Sequence, residues 1–300
     1  MKCDTQTSKS KIVLLKEDAS TFLSALPEAS VDLLICSPPY FIGKEYDRSA
    51  EVADFQKEHE ALLPLLVRAL KPGGSLCWQV GSHVRSKRVI PLDVIVYNVF
   101  STSPALALRN RIIWTFGHGT HAARRFSGRY ETILWFTKGD DYFFNLDGVR
   151  VPQKYPGKRH YRGPKKGDFS GNPAGKNPSD VWEIPNVKSL HVEKTAHPCQ
   201  FPVALVQRCI RSMTPVGGVV VDPFMGSGST AVACVLEQRA FMGCDIQSKY
   251  VKIAKRRVKL AEQGQPIHRP LEKPILVPNG SHAVSRAPAH FHSAEIEAAV

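Results

Sequence analysis

The sequence predicts a doubly wound α/β fold built on a mainly parallel sheet, and three observations carry that prediction. Val219-Val220-Val221 is a β-branched run with the character of a fully buried strand, closed by Asp222. It enters the glycine-rich stretch Pro223-Phe224-Met225-Gly226-Ser227-Gly228-Ser229-Thr230, and a helical stretch, Ala231 to Leu236, follows. A strand passing through a Gly-X-Gly turn into a helix presents backbone N–H groups to a ligand. Second, the apolar run Val31 to Cys36 ends in Ser37-Pro38-Pro39-Tyr40. Two prolines can continue neither a ladder nor a helix, so they set a rigid extended turn that holds Tyr40 at the strand's end. Third, the rest of the chain alternates short apolar runs with stretches of helical spacing.

Taken in order, Ile12 to Leu15 reads as a strand and Ala19 to Leu26 as a helix that Asp18 caps. After the Val31–Cys36 strand, Phe41 to Asp47 is a polar stretch with a glycine, either a loop closing over substrate or an ordinary surface loop. Phe55 to Leu70 has helical apolar spacing and stops at Lys71-Pro72-Gly73-Gly74, ahead of a strand over Ser75 to Val80. Ile90 to Phe100 is expected as a buried helix with Pro91 in its first turn. Arg111 to Phe116 and Thr132 to Thr137 are expected as the last pair of strands in the sheet, joined by a basic, glycine-broken loop with Arg124, Arg125 and Arg129. Residues 147 to 180 lose all periodicity, and Lys154, Lys158, Arg159, Arg162, Lys165 and Lys166 are interleaved there with Tyr155, Tyr161 and Phe169. That mixture suits phosphate and groove contacts; a solvated insertion is the alternative. Pro202 opens a helix burying Leu205, Val206, Cys209, Ile210 and Met213. Beyond the glycine turn come a strand over Arg239 to Asp245, a basic amphipathic helix over Ser248 to Leu260, and a proline-rich tail expected to be extended.

A chain of 300 residues can bury one large core, or one domain with an insertion. The formal net charge of +13 argues for a polyanionic partner. Seven cysteines show neither a Cys-x-x-Cys pair nor zinc spacing, which suits reduced thiols in a cytoplasmic protein without a metal. Neither a signal core at Met1 to Lys11 nor a run long enough to span a bilayer is present, so no membrane partner is expected.

Asp-Pro-Phe-Met-Gly-Ser-Gly-Ser-Thr (222–230) and Ser-Pro-Pro-Tyr (37–40) together resemble the cofactor and catalytic motifs of bacterial DNA amino-methyltransferases. The catalytic motif comes first, which is similar to the circularly permuted beta group of that family, and the resemblance covers roughly residues 11 to 260. It implies a Rossmann-like methyltransferase fold using S-adenosyl-L-methionine. Residues 11–146 would be the catalytic half, 147–190 the target-recognition region, 191–262 the cofactor half and 263–300 the tail. Duplex DNA is the implied partner, contacted by the basic residues above and by Lys44. A homodimer and a cognate restriction endonuclease on a separate chain are left open.

Gly226 and Gly228 would let the backbone approach the methionine and ribose portions of the cofactor, with Pro223, Phe224, Ser227 and Thr230 beside them. Asp222 would hold the methionine ammonium, directly or through water, and Asp245 both ribose hydroxyls. The resemblance adds Asp18 and Ala19 near the adenine, and Phe201. Ser37 Oγ and the Pro38 carbonyl would accept hydrogen bonds from the target amine and pyramidalise it, Pro39 would stiffen the turn, and Tyr40 would stack on the flipped base. Ser at the first motif position points to cytosine N4, whereas the longer run through Phe-Ile-Gly-Lys-Glu-Tyr is similar to adenine-specific proteins; the reading leans to adenine N6. A catalytically inactive regulator, or an enzyme acting on RNA or on a protein glutamine, are the other readings.

Overall fold

The computed structural model describes residues 11–40, 51–117, 119 and 121–275. Strand β1 (Ile12–Leu15) leads to α1 (Ala19–Ala25), whose N-cap Asp18 accepts from Ser20 N at 2.9 Å. Next come β2 (Val31–Cys36), α2 (Val52–Ala69), β3 (Leu70–Val80), the hairpin strands β4 (Ser82–Arg85) and β5 (Arg88–Pro91), and α3 (Leu92–Phe100). Two long strands follow, β6 (Leu106–Thr115) and β7 (Tyr130–Lys138), then the short β8 (Val181–Glu183). The chain continues through α4 (Val203–Met213), β9 (Val219–Asp222), α5 (Ser229–Leu236), β10 (Ala240–Cys244) and α6 (Ser248–Glu262).

Eight strands form one sheet in the order β1-β10-β9-β2-β3-β7-β6-β8. All neighbours pair in parallel except β7, which is antiparallel to both β3 and β6. Because successive side chains alternate faces, β2 feeds two cores. Leu33 and Ile35 pack with Val206, Ile210, Val232 and Val251 of α4, α5 and α6. Leu34 and Cys36 pack on the other face with Phe22, Leu66 and Val96 of α1, α2 and α3. Chain order reverses between β2 and β9, which are adjacent and parallel. The carboxyl ends of those two strands are therefore the topological switch point of the sheet, where open α/β sheets form a crevice.

The departures from expectation are local. The strand expected from Ser75 begins at Leu70, because Leu70 pairs with Val31 before a register shift carries the chain through Gly73 at φ +75°. Ile90 and Pro91 belong to β5 rather than to the helix, which starts at Leu92 with Pro91 as N-cap. The β4–β5 turn places Ser86 and Lys87 at φ 49° and 65°, a hairpin conformation normally signalled by glycine or asparagine. β6 and β7 are not the last pair, since β8 joins β6 through Ile113 and Val181. Residues 151–180 hold two isolated bridges, Val151 with Lys176 and Arg159 with Phe169. Lys44 and the 41–47 stretch lie outside the described residues, as does the tail from 276.

Candidate active site

At the switch point lies a cavity of about 540 Å³. β2 delivers Ser37, Pro38, Pro39 and Tyr40 to it, and β9 delivers Pro223, Phe224, Met225, Gly226 and Ser227. Asp18 and Ala19 at the start of α1, Phe201 ahead of α4, and Asp245 at the end of β10 complete the predicted residues on its wall. Thus two stretches nearly two hundred positions apart in sequence meet on one surface. Asp222, Gly228 and Thr230 do not line the cavity.

The glycine turn is built from backbone conformation. Gly226 and Gly228 stand at φ +50° and +77°, in the left-handed region that favours glycine. A Cβ on Gly226 would come 2.9 Å from His197 Nε2, and one on Gly228 would come 2.7 Å from Ala254 Cβ. Asp245 fastens the turn from the neighbouring strand, its Oδ2 accepting from Gly226 N at 3.1 Å and its Oδ1 from Gln247 N at 2.7 Å. Burial holds its carboxyl above the ordinary value, against the pull of those two hydrogen bonds.

Asp222 works from behind this wall. It is completely buried, accepts from Thr230 Oγ1 at 2.6 Å and from Phe224 N at 3.0 Å, and so ties the start of α5 to the end of β9. Burial pushes its carboxyl up to about 7. A carboxyl raised in the fold binds its proton more tightly than the unfolded chain does, so stability falls as pH rises from the ordinary value through 7. The full difference is at most about 4 kcal/mol. Asp222→Asn is therefore expected to melt several degrees above the wild type at pH 8 and above it by a smaller margin at pH 5, in thermal scans without ligand. A wild type whose melting temperature does not fall between those pH values would contradict this reading.

Several cavity residues carried no sequence signal. Glu131 on β7 and Gln79 on β3 sit beside Tyr40, and Gln79 Nε2 donates to Glu131 Oε2. Tyr40 OH lies 3.2 Å from Ser37 Oγ, 3.4 Å from Gln79 O and 3.5 Å from Glu131 Oε2. Enclosure by the protein, and next the Glu131 carboxylate, hold the phenol well above its ordinary value. Trp114 and Phe116, edge to face at 5.2 Å, add an aromatic wall. His197 packs on Tyr250 at 4.3 Å, and burial lowers it to about 4, so it is neutral at physiological pH.

Behind the turn, Arg257 of α6 donates to Ser227 O at 3.0 Å, Ser227 Oγ at 3.2 Å and Ser229 Oγ at 3.1 Å. Its other terminal nitrogen reaches the fully buried Glu193 carboxylate at 3.4 Å. Here a signal existed: buried Tyr250, Val251, Ala254, Arg257, Val258 and Ala261 follow the apolar spacing of α6, with one arginine on the stripe.

The basic residues expected at DNA lie off the cavity, with Arg124, Arg125, Lys154, Lys158, Arg159, Arg162, Lys165 and Lys166 exposed and Arg129 half-buried. Arg159 stacks 4.0 Å over Phe169 while donating to Gly167 O at 2.6 Å. Phe126, between Arg125 and Arg129, is fully exposed. Among the described residues no cluster of His, Cys, Asp and Glu suits a metal, and no helix is long and apolar enough to cross a membrane.

The chain is similar to known proteins over most of its length. A family model described as DNA methylase matches residues 31–256. Type II methyltransferase M.BglII from Bacillus subtilis is 44% identical over 238 residues, which are 79% of this chain and 66% of that protein. DNA adenine methyltransferase YhdJ from Escherichia coli K12 is 31% identical over 254 residues, 83% of each. Among solved structures, a DNA modification methylase from Thermus thermophilus complexed with S-adenosyl-L-methionine superposes with a TM-score of 0.59 at 26% identity, covering 84% of this chain and 94% of that one. The methyl donor here is accordingly S-adenosyl-L-methionine, and the cavity of about 540 Å³ beside Gly226 and Ser227 has room for it. The matched stretch runs from the first residue of β2 into α6 and takes in both walls of the cavity, so this chain belongs to the DNA methylases that modify the N6 amine of adenine or the N4 amine of cytosine.

Proposed function

We propose that this enzyme methylates the N6 amine of adenine at specific sites in duplex DNA, on a base turned out of the helix into the cavity. The observation that carries this reading is the meeting of the Ser37–Tyr40 turn and the Gly226–Asp245 turn on one cavity. S-adenosyl-L-methionine supplies an electrophilic methyl group on a sulfonium.

Asp245 and the Gly226–Ser227 backbone would hold its methionine and ribose portions, Asp18 and Ala19 its adenine end, and Phe201, Pro223 and Phe224 its apolar faces; all line the cavity. Asp222 and Thr230 would act indirectly, by fixing the turn through their mutual hydrogen bond. Ser37 Oγ and the Pro38 carbonyl would accept both hydrogen bonds of the target amine and turn its lone pair out of conjugation. Tyr40, with Trp114 and Phe116 also on the wall, offers a stacking face worth roughly 1–3 kcal/mol per base, comparable to the cost of unstacking. The exposed lysines and arginines of 151–180 and of the β6–β7 loop would take phosphates, and Tyr155, Tyr161 and Phe169 would enter grooves. A dimer and a partner endonuclease remain compatible with these surfaces.

The adenine assignment is supported by similarity to the enzyme named DNA adenine methyltransferase YhdJ. Ser37 at the first motif position supports the alternative, cytosine N4, although Ser and Asp accept the same hydrogen bond and so fit either amine. Nucleosides from DNA methylated by the purified enzyme, analysed by mass spectrometry, are expected to contain N6-methyladenine. N4-methylcytosine as sole product would move the assignment to cytosine with the same amine chemistry, whereas 5-methylcytosine would overturn the mechanism.

A further inference from the structure

The catalytic turn does not end at Tyr40. A carboxylate and a carbonyl only accept hydrogen bonds, so the single Tyr40 hydroxyl proton is directed to the pair formed by Glu131 Oε2 at 3.5 Å and Gln79 O at 3.4 Å. Tyr40 Oη is then the acceptor in its 3.2 Å contact with Ser37, and the Ser37 hydroxyl is the donor. That leaves the lone pairs of Ser37 Oγ for the N–H bonds of the target amine. Every link of the chain points away from the amine and toward Glu131. Gln79 Nε2 anchors the same carboxyl oxygen, and Gly81 makes room for the other, since a methyl there would stand 3.3 Å from Oε1.

We propose that Ser37, Tyr40 and Glu131 form a proton path, with the Glu131 carboxylate as the acceptor of the proton that the target amine must release. This deepens the reading of Ser37 as the residue that holds the amine. As the nitrogen lone pair forms the new N–C bond, the S–C pair leaves with sulfur. One N–H bond then breaks with its electrons returning to nitrogen. The amine proton passes to Ser37 Oγ, the Ser37 proton to Tyr40 Oη and the Tyr40 proton to Glu131, which ends as a neutral carboxylic acid and later loses its proton to solvent. Burial favours that neutral form, holding the Glu131 carboxyl above its ordinary value despite the hydrogen bonds from Gln79 and Tyr40. A base with a raised value is better matched to work near neutral pH. Glu131 acts through two hydroxyls and is a positioning residue as well as a proton acceptor.

Facing Glu131, β3 offers Gln79 and Gly81, β6 offers Trp114, and the β2 end offers Tyr40 as the one titratable neighbour among the described residues. Glu58, Lys188, His197 and Cys199 also line the cavity, and Asp222 and Asp245 titrate on the cofactor side. The test is therefore single-turnover methylation with S-adenosyl-L-methionine pre-bound at saturation, measured against pH. In the wild type the rate should fall as pH drops through the Glu131 ionisation. Glu131→Gln keeps an acceptor for Tyr40 but takes no proton, and should lose roughly 100-fold in rate. It should also lose the acid limb, with cofactor affinity by calorimetry within twofold of wild type.

Tyr40→Phe keeps the stacking face, breaks the path and leaves the buried carboxyl in place on Gln79 Nε2, so it should match that loss, and the double variant should lose no more than either single one. Without any substrate, the infrared difference between wild type and Glu131→Gln should show a protonated carboxyl band that fades over the pH range of the acid limb. Glu131→Gln within threefold of wild type, an acid limb that survives in it, or multiplying losses in the double variant would overturn the path. Activity retained in Ser37→Ala would instead overturn the reading of the site itself.

Discussion

Ser37→Ala and Tyr40→Ala are expected to abolish methyl transfer while binding S-adenosyl-L-methionine as the wild type does, and Asp245→Ala to lose the cofactor. The two sets line one cavity, and among the described residues no hydrogen bond joins them. Among the described residues the Ser37 hydroxyl hydrogen-bonds Tyr40 and none of the glycine turn, so removing its oxygen should leave Gly226 and Ser227 in place while the amine loses its proposed acceptor. Losing one preorganised polar contact to a transition state typically costs a factor of about 10²–10³. Tyr40→Ala removes both the stacking face, roughly 1–3 kcal/mol, and the hydroxyl that orders Ser37. Asp245 instead accepts from Gly226 N and Gln247 N, so alanine there frees the turn as well as removing the carboxylate. Calorimetric titration with the cofactor, paired with single-turnover methyl incorporation, separates the two classes. Weak cofactor binding by Ser37→Ala would show that the walls are not independent.

Arg257→Met is the second large effect, and it falls first on stability. Methionine nearly matches the length of the stem but abandons three hydrogen bonds to Ser227 and Ser229. It also leaves Glu193 buried without its cation, although Val203 N and Arg269 N still donate to that carboxylate. Breaking one side of a buried pair typically costs about 3–5 kcal/mol, and each kcal/mol lowers the melting temperature of a domain near this size by roughly 2–4 °C. Cofactor affinity should fall more than tenfold, because Ser227 lines the cavity. Adding Glu193→Gln removes the stranded charge and should restore part of the loss, a coupling visible in a double-mutant cycle. Equal melting temperatures for Arg257→Met and wild type would contradict the role assigned to this pair.

Features written locally in the chain were legible before the fold was seen. Val219–Asp222, Val31–Cys36 and the Asp18 cap lie where periodicity, proline pairs and capping chemistry put them. What escaped was created by pairing. β8 is three residues long and exists because Ile113 and Thr115 lend it a partner. The β4–β5 turn uses Ser86 and Lys87 where glycine or asparagine would have announced it. Glu131 looks like an ordinary strand-end glutamate until β3 and β7 align and bring Gln79 and Tyr40 to it. Asp222 stands where its motif puts it, yet its hydrogen bonds turn it toward Thr230 and Phe224 rather than to the cavity, an orientation no spacing rule encodes.

The interleaved strand order has a consequence for how the molecule is made. Among the described residues β1 pairs only with β10, joining Ile12 to Phe241, and β2 lies between β9 and β3. On the ribosome, the Ser37–Tyr40 turn and the whole basic segment are synthesised before the strands that flank β2 on one side and satisfy β1. The nascent chain must therefore carry an open strand edge until β9 and β10 emerge, and contacts so distant in sequence close slowly. Cofactor can assist only the last stage of that assembly, because the turn proposed to bind it is finished when β10 supplies Asp245.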